Sequence, residues 1–430
     1  MAITGRAAAV ALAGVLVVLA VRAWWAVAAM AAVLAAGIAA DLLLAAAIRP
    51  LGMTRSGDTR VRLGETAAVT LTIRNPGPRA LRAVIRDAWP PSAGAAPRHA
   101  TVTIPRGGQT TLTTHLTPTR RGDRAAAGVT VRSHGPLGLA ARQGRHTASW
   151  TMRALPPFRS RRHLPEKLAR LRELDGLHRS LVRGQGSEFD SLREYVPGDD
   201  VRSIDWRGTA RHQDVLVRTW RPERDRRILV VLDTGRTAAG RVGDAPRLDS
   251  SIDAALLLAA LASRAGDRID LIAFDRRIRA RVLAAPRTDV LRAFTEAMAP
   301  LEAELVESDS GAMAGTILAL ARRRCLVVLL TDLNPAALAE GLLPHLPLLA
   351  SRHVLLLGAV ADPRLDELAA GRKEAAAVYA AAAAERARAE RARAAAQLRR
   401  RGVTVVDTSP ERLPPALADA YLDFKAAGKL

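Results

Sequence analysis

The spacing of apolar residues divides the chain into three regimes. Residues 7–21 are uninterrupted apolar, and after Arg22 a second apolar stretch runs from Ala23 to Ala40 and, past Asp41, on to Ile48. A helix needs about 20 residues to cross a hydrocarbon core, and Thr4, Gly5 and snorkelling Arg6 and Arg22 complete the first run. From about Thr59 to Met152 the apolar positions alternate: Val69, Leu71 and Ile73; Leu81, Ala83 and Ile85; Val102 and Ile104; Leu112 and Leu116; Val129 and Val131. Period two turns one face of each strand inward, and turn clusters at 75–78, 90–91, 106–108 and 121–123 separate the runs. This predicts an all-β, immunoglobulin-like sandwich of about seven short antiparallel strands, a spacer or docking module with nothing catalytic in it. From Arg227 short apolar runs (228–232, 269–274, 326–330, 354–357, 403–406) alternate with helical stretches near 248–265, 287–299, 312–322, 336–350, 363–400 and 411–426. Apolar strands covered on both faces by helices predict a doubly wound α/β sheet. Ligands of such sheets bind beyond the carboxyl ends of the strands.

The predicted organisation is therefore multidomain: a two-helix membrane anchor over 1–49, the β-sandwich over 50–154, a linker and motif region over 155–226, and the α/β domain over 227–430. Within the linker, residues 155–183 are Pro-bounded and Arg-rich, with a short helix predicted at Glu166 to Leu174. A cleaved signal peptide is the rival reading of the first run; the second run following at once favours a transmembrane hairpin. Arg6 precedes the hairpin and Arg49, Arg55, Arg60 and Arg62 follow it, with Arg22 alone between the runs. The positive-inside bias then puts both ends, and everything after residue 50, in the cytoplasm of a multi-pass membrane protein. Trp24 and Trp25 fall at the outer interface, and Asp41 at the inner one beside Arg49.

Charge changes the picture little. The net charge is +22, from 64 Lys+Arg against 42 Asp+Glu, but the arginines are scattered, aromatics make up 3% of residues and no nucleic-acid-binding motif is present. A basic domain beside anionic lipid accounts for the charge, and no nucleic-acid partner is expected. The single cysteine, Cys325, excludes an internal disulfide and any Cys-rich metal site; at the start of an apolar strand it reads as a buried, inert thiol.

The least generic stretch is 184–211, GQGSEFDSLREYVPGDDVRSIDWRGTAR. The elements Gly-x-Gly-x-Glu-Phe, Leu-Arg-x-Tyr-x-Pro-Gly-Asp-Asp-x-Arg-x-Ile-Asp-Trp and Ala-Arg resemble the signature of a bacterial family known as domain of unknown function 58 (DUF58). Arg120-Arg121-Gly122, Gly135-Pro136-Leu137-Gly138-Leu139 and Tyr421-Leu422-x-x-Lys425 are similar to that family too. The resemblance implies a C-terminal domain similar to von Willebrand factor A. It also implies a MoxR-type AAA+ ATPase as partner, with a transglutaminase-like membrane protein as a further one, and an adaptor role.

In von Willebrand A domains a metal-ion-dependent adhesion site follows the first strand, built from Asp-x-Ser-x-Ser, a Thr on a second loop and an Asp on a third. Here Asp233 matches the Asp, Thr237 the last hydroxyl and Asp332 the distal carboxylate, while Gly235 departs from the pattern and Gly315-Thr316 fits the second loop superficially. Complete, such a site is a hard oxygen site for Mg²⁺. Degraded as it is, the alternative expectation is a fixed cation, with Arg236 reaching between Asp233 and Asp332, because two apposed carboxylates must be neutralised. The expected mechanism is capture of a partner carboxylate at this loop. The carboxylates of the signature invite a second reading, a metal-dependent hydrolase using Asp190, Asp199, Asp205 and Asp233. Against it, each lies within a few residues of an arginine and 197–200 is a turn whose aspartates bond backbone amides. The signature is read instead as a wrap that packs Phe189, Tyr195, Ile204 and Trp206 onto the sheet. Its charged edge, with Glu188, Arg193, Asp199, Asp200, Arg202 and Asp205, becomes a partner surface beside Arg236. A third reading is a basic membrane-surface scaffold. No phosphate-binding loop, nucleophile elbow, zinc helix or dinucleotide turn is present.

Overall fold

The computed structural model describes residues 1–181, 188–211, 214–221, 226–371 and 374–430. Contacts divide the chain into two compact units, Met1–Pro157 and Phe158–Leu430.

The first unit opens with a two-residue strand β1 (Ala2–Ile3) and the helices α1 (Gly5–Val21) and α2 (Trp24–Leu44). The turn between the helices is made by Arg22 in the left-handed region and Ala23. Gly14 lets the pair close up, since a Cβ there would stand 2.5 Å from Met30 Cγ. Trp24–Leu44 is long and apolar enough to cross a membrane and is 6% buried over its apolar window; the 17-residue α1 is shorter. An apolar helix of this kind near the N-terminus suggests membrane anchoring.

Eleven strands follow: β2 (Gly52–Gly57), β3 (Arg60–Arg62), β4 (Ala67–Arg74), β5 (Leu81–Ala88), β6 (Ala95–Ala96), β7 (His99–Ile104), β8 (Gln109–Leu116), β9 (Gly122–Ala125), β10 (Gly128–His134), β11 (Ala140–His146) and β12 (Thr151–Leu155). They form sheets of order β1-β11-β10-β5-β7, β2-β4-β8-β6 and β3-β12-β9. The period-two register holds where the pattern is strongest: β4 and β5 alternate buried and less buried positions along their length. Leu71 and Ile73 from one sheet share a core with Ile85, Ile104 and Val131 from another. A polar knot lies in the same unit: Asp87 accepts from Arg55, Trp89 Nε1 and Thr114 Oγ1 at 2.6, 2.9 and 3.1 Å. Such a buried pair holds because the carboxylate's other lone pairs are also satisfied.

The second unit begins with α3 (Leu164–Leu181), longer than its sequence signal. It is no free joint. Leu171 is 4% exposed within the α/β core, Ser160 donates from N and Oγ to Asp253, and Lys167 and Arg170 pair with Asp419. A hairpin follows, β13 (Glu188–Glu194) and β14 (Leu216–Arg221), with the short helix α4 (Trp206–Thr209) between its strands.

The remaining strands are β15 (Arg227–Asp233), a two-residue hairpin β16 (Arg241–Val242) and β17 (Ala245–Pro246), β18 (Arg268–Phe274), β19 (Ile278–Val282), β20 (Leu326–Leu330), β21 (Val354–Val360) and β22 (Thr404–Thr408). Between them run α5 (Arg236–Ala239), α6 (Arg247–Arg264), α7 (Val290–Met298), α8 (Ser310–Leu320), α9 (Pro335–Ala337), α10 (Leu346–Arg352), α11 (Arg364–Ala369), α12 (Ala375–Arg400) and α13 (Leu413–Ala426). The main sheet has the order β19-β18-β15-β20-β21-β22, all parallel except β19. Along β15, Ile228, Val230 and Leu232 enter one core, shared with α6 and α13, while Leu229 and Val231 enter the other, shared with α8 and α10. That is the two-faced burial which near-continuous apolar strands require.

Two differences from the sequence pattern have local causes. The edge strand β19 reads Ile-Arg-Ala-Arg-Val, too short and polar to signal a strand. The stretch 336–350 is not one helix: a π-turn over Leu338–Leu342 separates α9 from α10, and Gly341, Pro344 and Pro347 interrupt the helical ladder there. The closing motif is structural. Tyr421 OH donates to Asp267 at 2.5 Å and Lys425 Nζ lies 3.1 Å from both oxygens of the same buried carboxylate, pinning α13 to the turn after α6.

Candidate functional site

β15 and β20 end side by side, and their carboxyl ends open into a cleft of about 340 Å³. Asp233 is the last residue of β15 and is 8% exposed. Four donors surround its carboxylate. Oδ1 accepts from Gly235 N at 2.9 Å and Ser308 Oγ at 2.5 Å; Oδ2 accepts from Thr237 Oγ1 at 3.1 Å and Thr331 Oγ1 at 2.6 Å. The three hydroxyls come from α5, from the loop before α8 and from the turn after β20.

The middle loop is brought in by backbone pairing: Glu304 N donates to Thr234 O at 2.8 Å and Arg236 N to Val306 O at 2.7 Å. This pairing gives the departure at Gly235 a physical meaning. A Cβ on residue 235 would stand 2.2 Å from Ser308 Oγ and 2.9 Å from Val306 O. Ser308 Oγ, arriving from the neighbouring loop, therefore occupies the space that a side chain at 235 would fill. Thr316, the superficial match for that loop, instead lies on α8, where its hydroxyl donates to Ala312 O. Thr331-Asp332 fits the third loop of the pattern, though its hydroxyl carries no role there, whereas Ser308 is an isolated hydroxyl without a pattern; its one sequence signal is the Gly at 235, which asks what fills its side-chain space.

The cation is also not the expected one. Arg236 turns outward and pairs with Glu307 at 2.5 Å, with both side chains more than half exposed. Asp332 is neutralised from behind. Arg391 of α12 places Nη1 2.6 Å from Asp332 Oδ1, pairs with Asp407 of β22 at 2.8 Å and donates to Val360 O at 3.0 Å, so one guanidinium ties together the ends of β20, β21 and β22. Arg247, at the start of α6, stands 3.5 Å from Asp332 Oδ2. Burial opposes the charge on Arg391, but Asp407 and Asp332 outweigh it and hold the guanidinium above its ordinary range. A divalent ion held by both Asp233 and Asp332 does not fit this arrangement, because the second carboxylate is already committed to two fixed cations. Among the described residues no group of three or more His, Cys, Asp or Glu is placed to hold a metal. The open faces of the cleft carry Glu307, Asp309, Glu340, His345 and the outward Arg236.

The signature residues lie elsewhere and are satisfied locally. Asp199 accepts from Arg193 at 2.6 Å and from Val196 N; Asp200 caps the following turn through Arg202 N; Asp205 accepts from Arg218 at 2.9 Å and from Arg207 N and Gly208 N. Arg193 holds the Asp199 carboxyl below the usual range, and Arg218 does the same for Asp205. Among the described residues, these bonds engage Asp199 and Asp205 locally rather than bringing them together on a metal centre. The expected packing of Trp206 onto the sheet is corrected: Trp206 is 68% exposed, and the hairpin closes on its own ion pairs and on buried Val217. Tyr195 and Ile204 are half-buried, and the Arg202 side chain is exposed. Gly184 and Gly186 lie outside the described residues, as do the side chains of Glu188, Phe189 and Asp190.

Fold and site define a multidomain protein whose doubly wound domain presents a hydroxyl-ringed carboxylate at the carboxyl ends of its strands. The model of the family described as protein of unknown function DUF58 matches residues 191–407, more than half of the chain, and the chain belongs to that family. Uncharacterized proteins of Mycobacterium tuberculosis and Mycobacterium bovis are 31% identical over 200 residues, 45% of this chain and 61% of theirs, so the chain spans about three-fifths of these relatives. Among solved structures, the CARDB domain of a Pyrococcus furiosus protein in complex with di-metal ions is similar at 16% identity and a TM-score of 0.19, over 26% of this chain and 89% of that one. A FixG-related protein from Vibrio parahaemolyticus is similar at 11% identity and a TM-score of 0.17, over 25% and 98%. At such TM-scores the likeness assigns neither fold nor role.

Proposed function

We propose that the protein is a membrane-anchored adaptor that docks a partner protein at the cleft beyond β15 and β20, with no divalent ion in the contact. The observation that carries this is Asp233: its carboxylate sits at the head of a cleft, held by three hydroxyls and one amide, and among the described residues no Lys, Arg or His pairs with it. Hydroxyls that donate inward to a carboxylate turn their lone pairs outward, and together with Glu307, Asp309 and Glu340 they offer acceptors to a partner's donors. The sheet order with its antiparallel edge supports the von Willebrand A-like reading of this domain, and the two facing sheets support the immunoglobulin-like reading of the β domain. On this reading α1 and α2 form a two-helix transmembrane hairpin and the rest of the chain is cytoplasmic.

The partner class is a MoxR-type AAA+ ATPase, with a transglutaminase-like membrane protein as a second, and the expected carboxylate capture becomes donor capture. A hydrolase reading draws no support from Asp199 and Asp205, which pair with Arg193 and Arg218 within the hairpin. The test titrates the full chain in lipid nanodiscs with a purified MoxR-type AAA+ ATPase, in excess chelator. Saturable binding that drops at least tenfold in Asp233→Ala is expected. Binding that requires added Mg²⁺, or that Asp233→Ala leaves intact, would overturn the proposal.

A further inference from the structure

The cleft does not use the Gly135-Pro136-Leu137-Gly138-Leu139 stretch, yet that loop, between β10 and β11, makes the most specific contacts in the first unit. Asp41, in the last turn of α2, is fully buried. Its Oδ1 accepts from Leu137 N at 2.8 Å, and its Oδ2 accepts from Leu139 N at 2.5 Å and Ala140 N at 3.0 Å. Successive backbone amides of this kind form an anion-binding nest. They replace the water that a carboxylate at the end of an apolar helix has lost.

The same loop holds the start of the chain. Thr4 Oγ1 donates to Gly138 O at 2.6 Å and Thr4 N to Leu139 O at 3.0 Å, while Ala2 and Ile3 pair with Ala141 and Ala140 as an edge strand. The free carbonyls at the end of α2 are taken by cations of the β domain: Arg142 Nε donates to Leu42 O at 2.7 Å and Arg79 Nη1 to Leu43 O at 2.5 Å. Cations at a helix C-terminus also meet the negative end of its dipole.

Small residues make the approach possible. A Cβ on Gly135 would stand 2.3 Å from Asp41 Oδ1 and 2.5 Å from its Cα, and one on Gly37 would stand 2.8 Å from Leu139 Cδ1. Around this junction Ile3, Leu43, Leu44 and Leu137 are at least half exposed. Apolar side chains ringed by Arg6, Arg79 and Arg142 suit the boundary between hydrocarbon and lipid phosphates.

We infer that the 135–140 loop is a membrane-seated lock. It grips Asp41 and the N-terminal strand, makes the helical pair and the β domain one rigid body, and dips Leu137 into the lipid interface. The inference rests on the anchor reading. It gives the loop a partner, the bilayer surface, and gives Asp41 a structural role.

Hydrogen exchange on the full chain in nanodiscs of phosphatidylcholine and phosphatidylglycerol tests the lock. Exchange in peptides spanning 137–141 should rise at least tenfold in Asp41→Ala and also in Gly135→Ala, which breaks the contact from the other side, while peptides of β4 and β5 stay protected. Equal protection of the loop in both variants, or a loop unprotected in the parent chain, would overturn it. The lipid contact is read separately in Cys325→Ala/Leu137→Cys carrying an environment-sensitive fluorophore: quenching by brominated lipid is expected, and water-like emission unaffected by brominated lipid would remove that half of the proposal. Release of the parent chain from membranes by alkaline carbonate would sink the anchor reading, leaving exchange to decide whether loop and helix are locked.

Discussion

Replacing Arg391 by methionine removes the guanidinium that joins three strand ends and keeps much of its apolar bulk. Arg391, Asp332 and Asp407 expose 14%, 10% and 19% of their side chains, so solvent screens the network only in part. Removing one partner of a buried pair costs about 3–5 kcal/mol, because the remaining charge is left uncompensated. Here two carboxylates and Val360 O lose a donor at once, and Arg247, 3.5 Å from Asp332, compensates one of them weakly. For a unit of this size each kcal/mol is worth roughly 2–3 °C, so the melting temperature of the second unit should fall by roughly 6–15 °C. Differential scanning calorimetry with and without chelator reads this directly. Mg²⁺ should have no effect on the parent chain but should restore part of the loss in Arg391→Met, where Asp332 is released for a divalent ion. Adding Asp332→Asn to Arg391→Met should recover part of the stability and abolish the Mg²⁺ response. A loss under about 1 kcal/mol, or a Mg²⁺ response in the parent chain, would refute the assignment of Arg391 as the built-in cation.

Three further outcomes follow from the same geometry. Gly235→Ser should destabilise by about 1–3 kcal/mol through overlap with Ser308, and Ser308→Gly should rescue it, with a coupling above about 1 kcal/mol in a thermal double-mutant cycle; additive effects would separate the two positions. Arg193 and Arg218 depress the folded pKa values of Asp199 and Asp205, so their contribution to the hairpin is present above the ordinary aspartate value of about 3.9 and is lost as pH falls through the lower folded values. Carboxyl NMR titrations should show both midpoints below that value, each rising when its arginine becomes glutamine; midpoints at or above it would remove the pairs. Cys325 is buried, and burial pushes its thiol up to about 11, so a disulfide reagent at pH 8 should leave the native chain unmodified and react fully in denaturant; rapid native labelling would contradict its burial.

The sequence pattern carried the layered architecture because both periods are strong: Val69, Leu71 and Ile73 alternate cleanly, and β15, β20 and β21 are nearly all apolar. Asp233 closes the first strand of the main sheet, so its place at the carboxyl end follows from the strand pattern alone. What the pattern could not give were partners far along the chain. Ser308 lies 75 residues from Asp233 and Arg391 59 residues from Asp332, and neither separation leaves a local trace. Arg236 was the natural candidate by proximity, but a residue at the mouth of an acidic cleft meets Glu307 first. The charges of 193–205 look like an interaction edge, yet Asp199, Asp200 and Asp205 are engaged by caps and ion pairs within the hairpin, and Trp206 faces outward with them.

Docking of a partner protein at the cleft headed by Asp233 is tested most directly by site-specific photocrosslinking in native membranes. A benzophenone amino acid is placed at Glu340, on the exposed rim of the cleft, and in a parallel chain at Glu385, on the exposed face of α12. The expected result is one discrete adduct from position 340, absent from position 385 and lost when Asp233→Ala is added. The same adducts from both positions, or an adduct from 340 that survives Asp233→Ala, would contradict the claim.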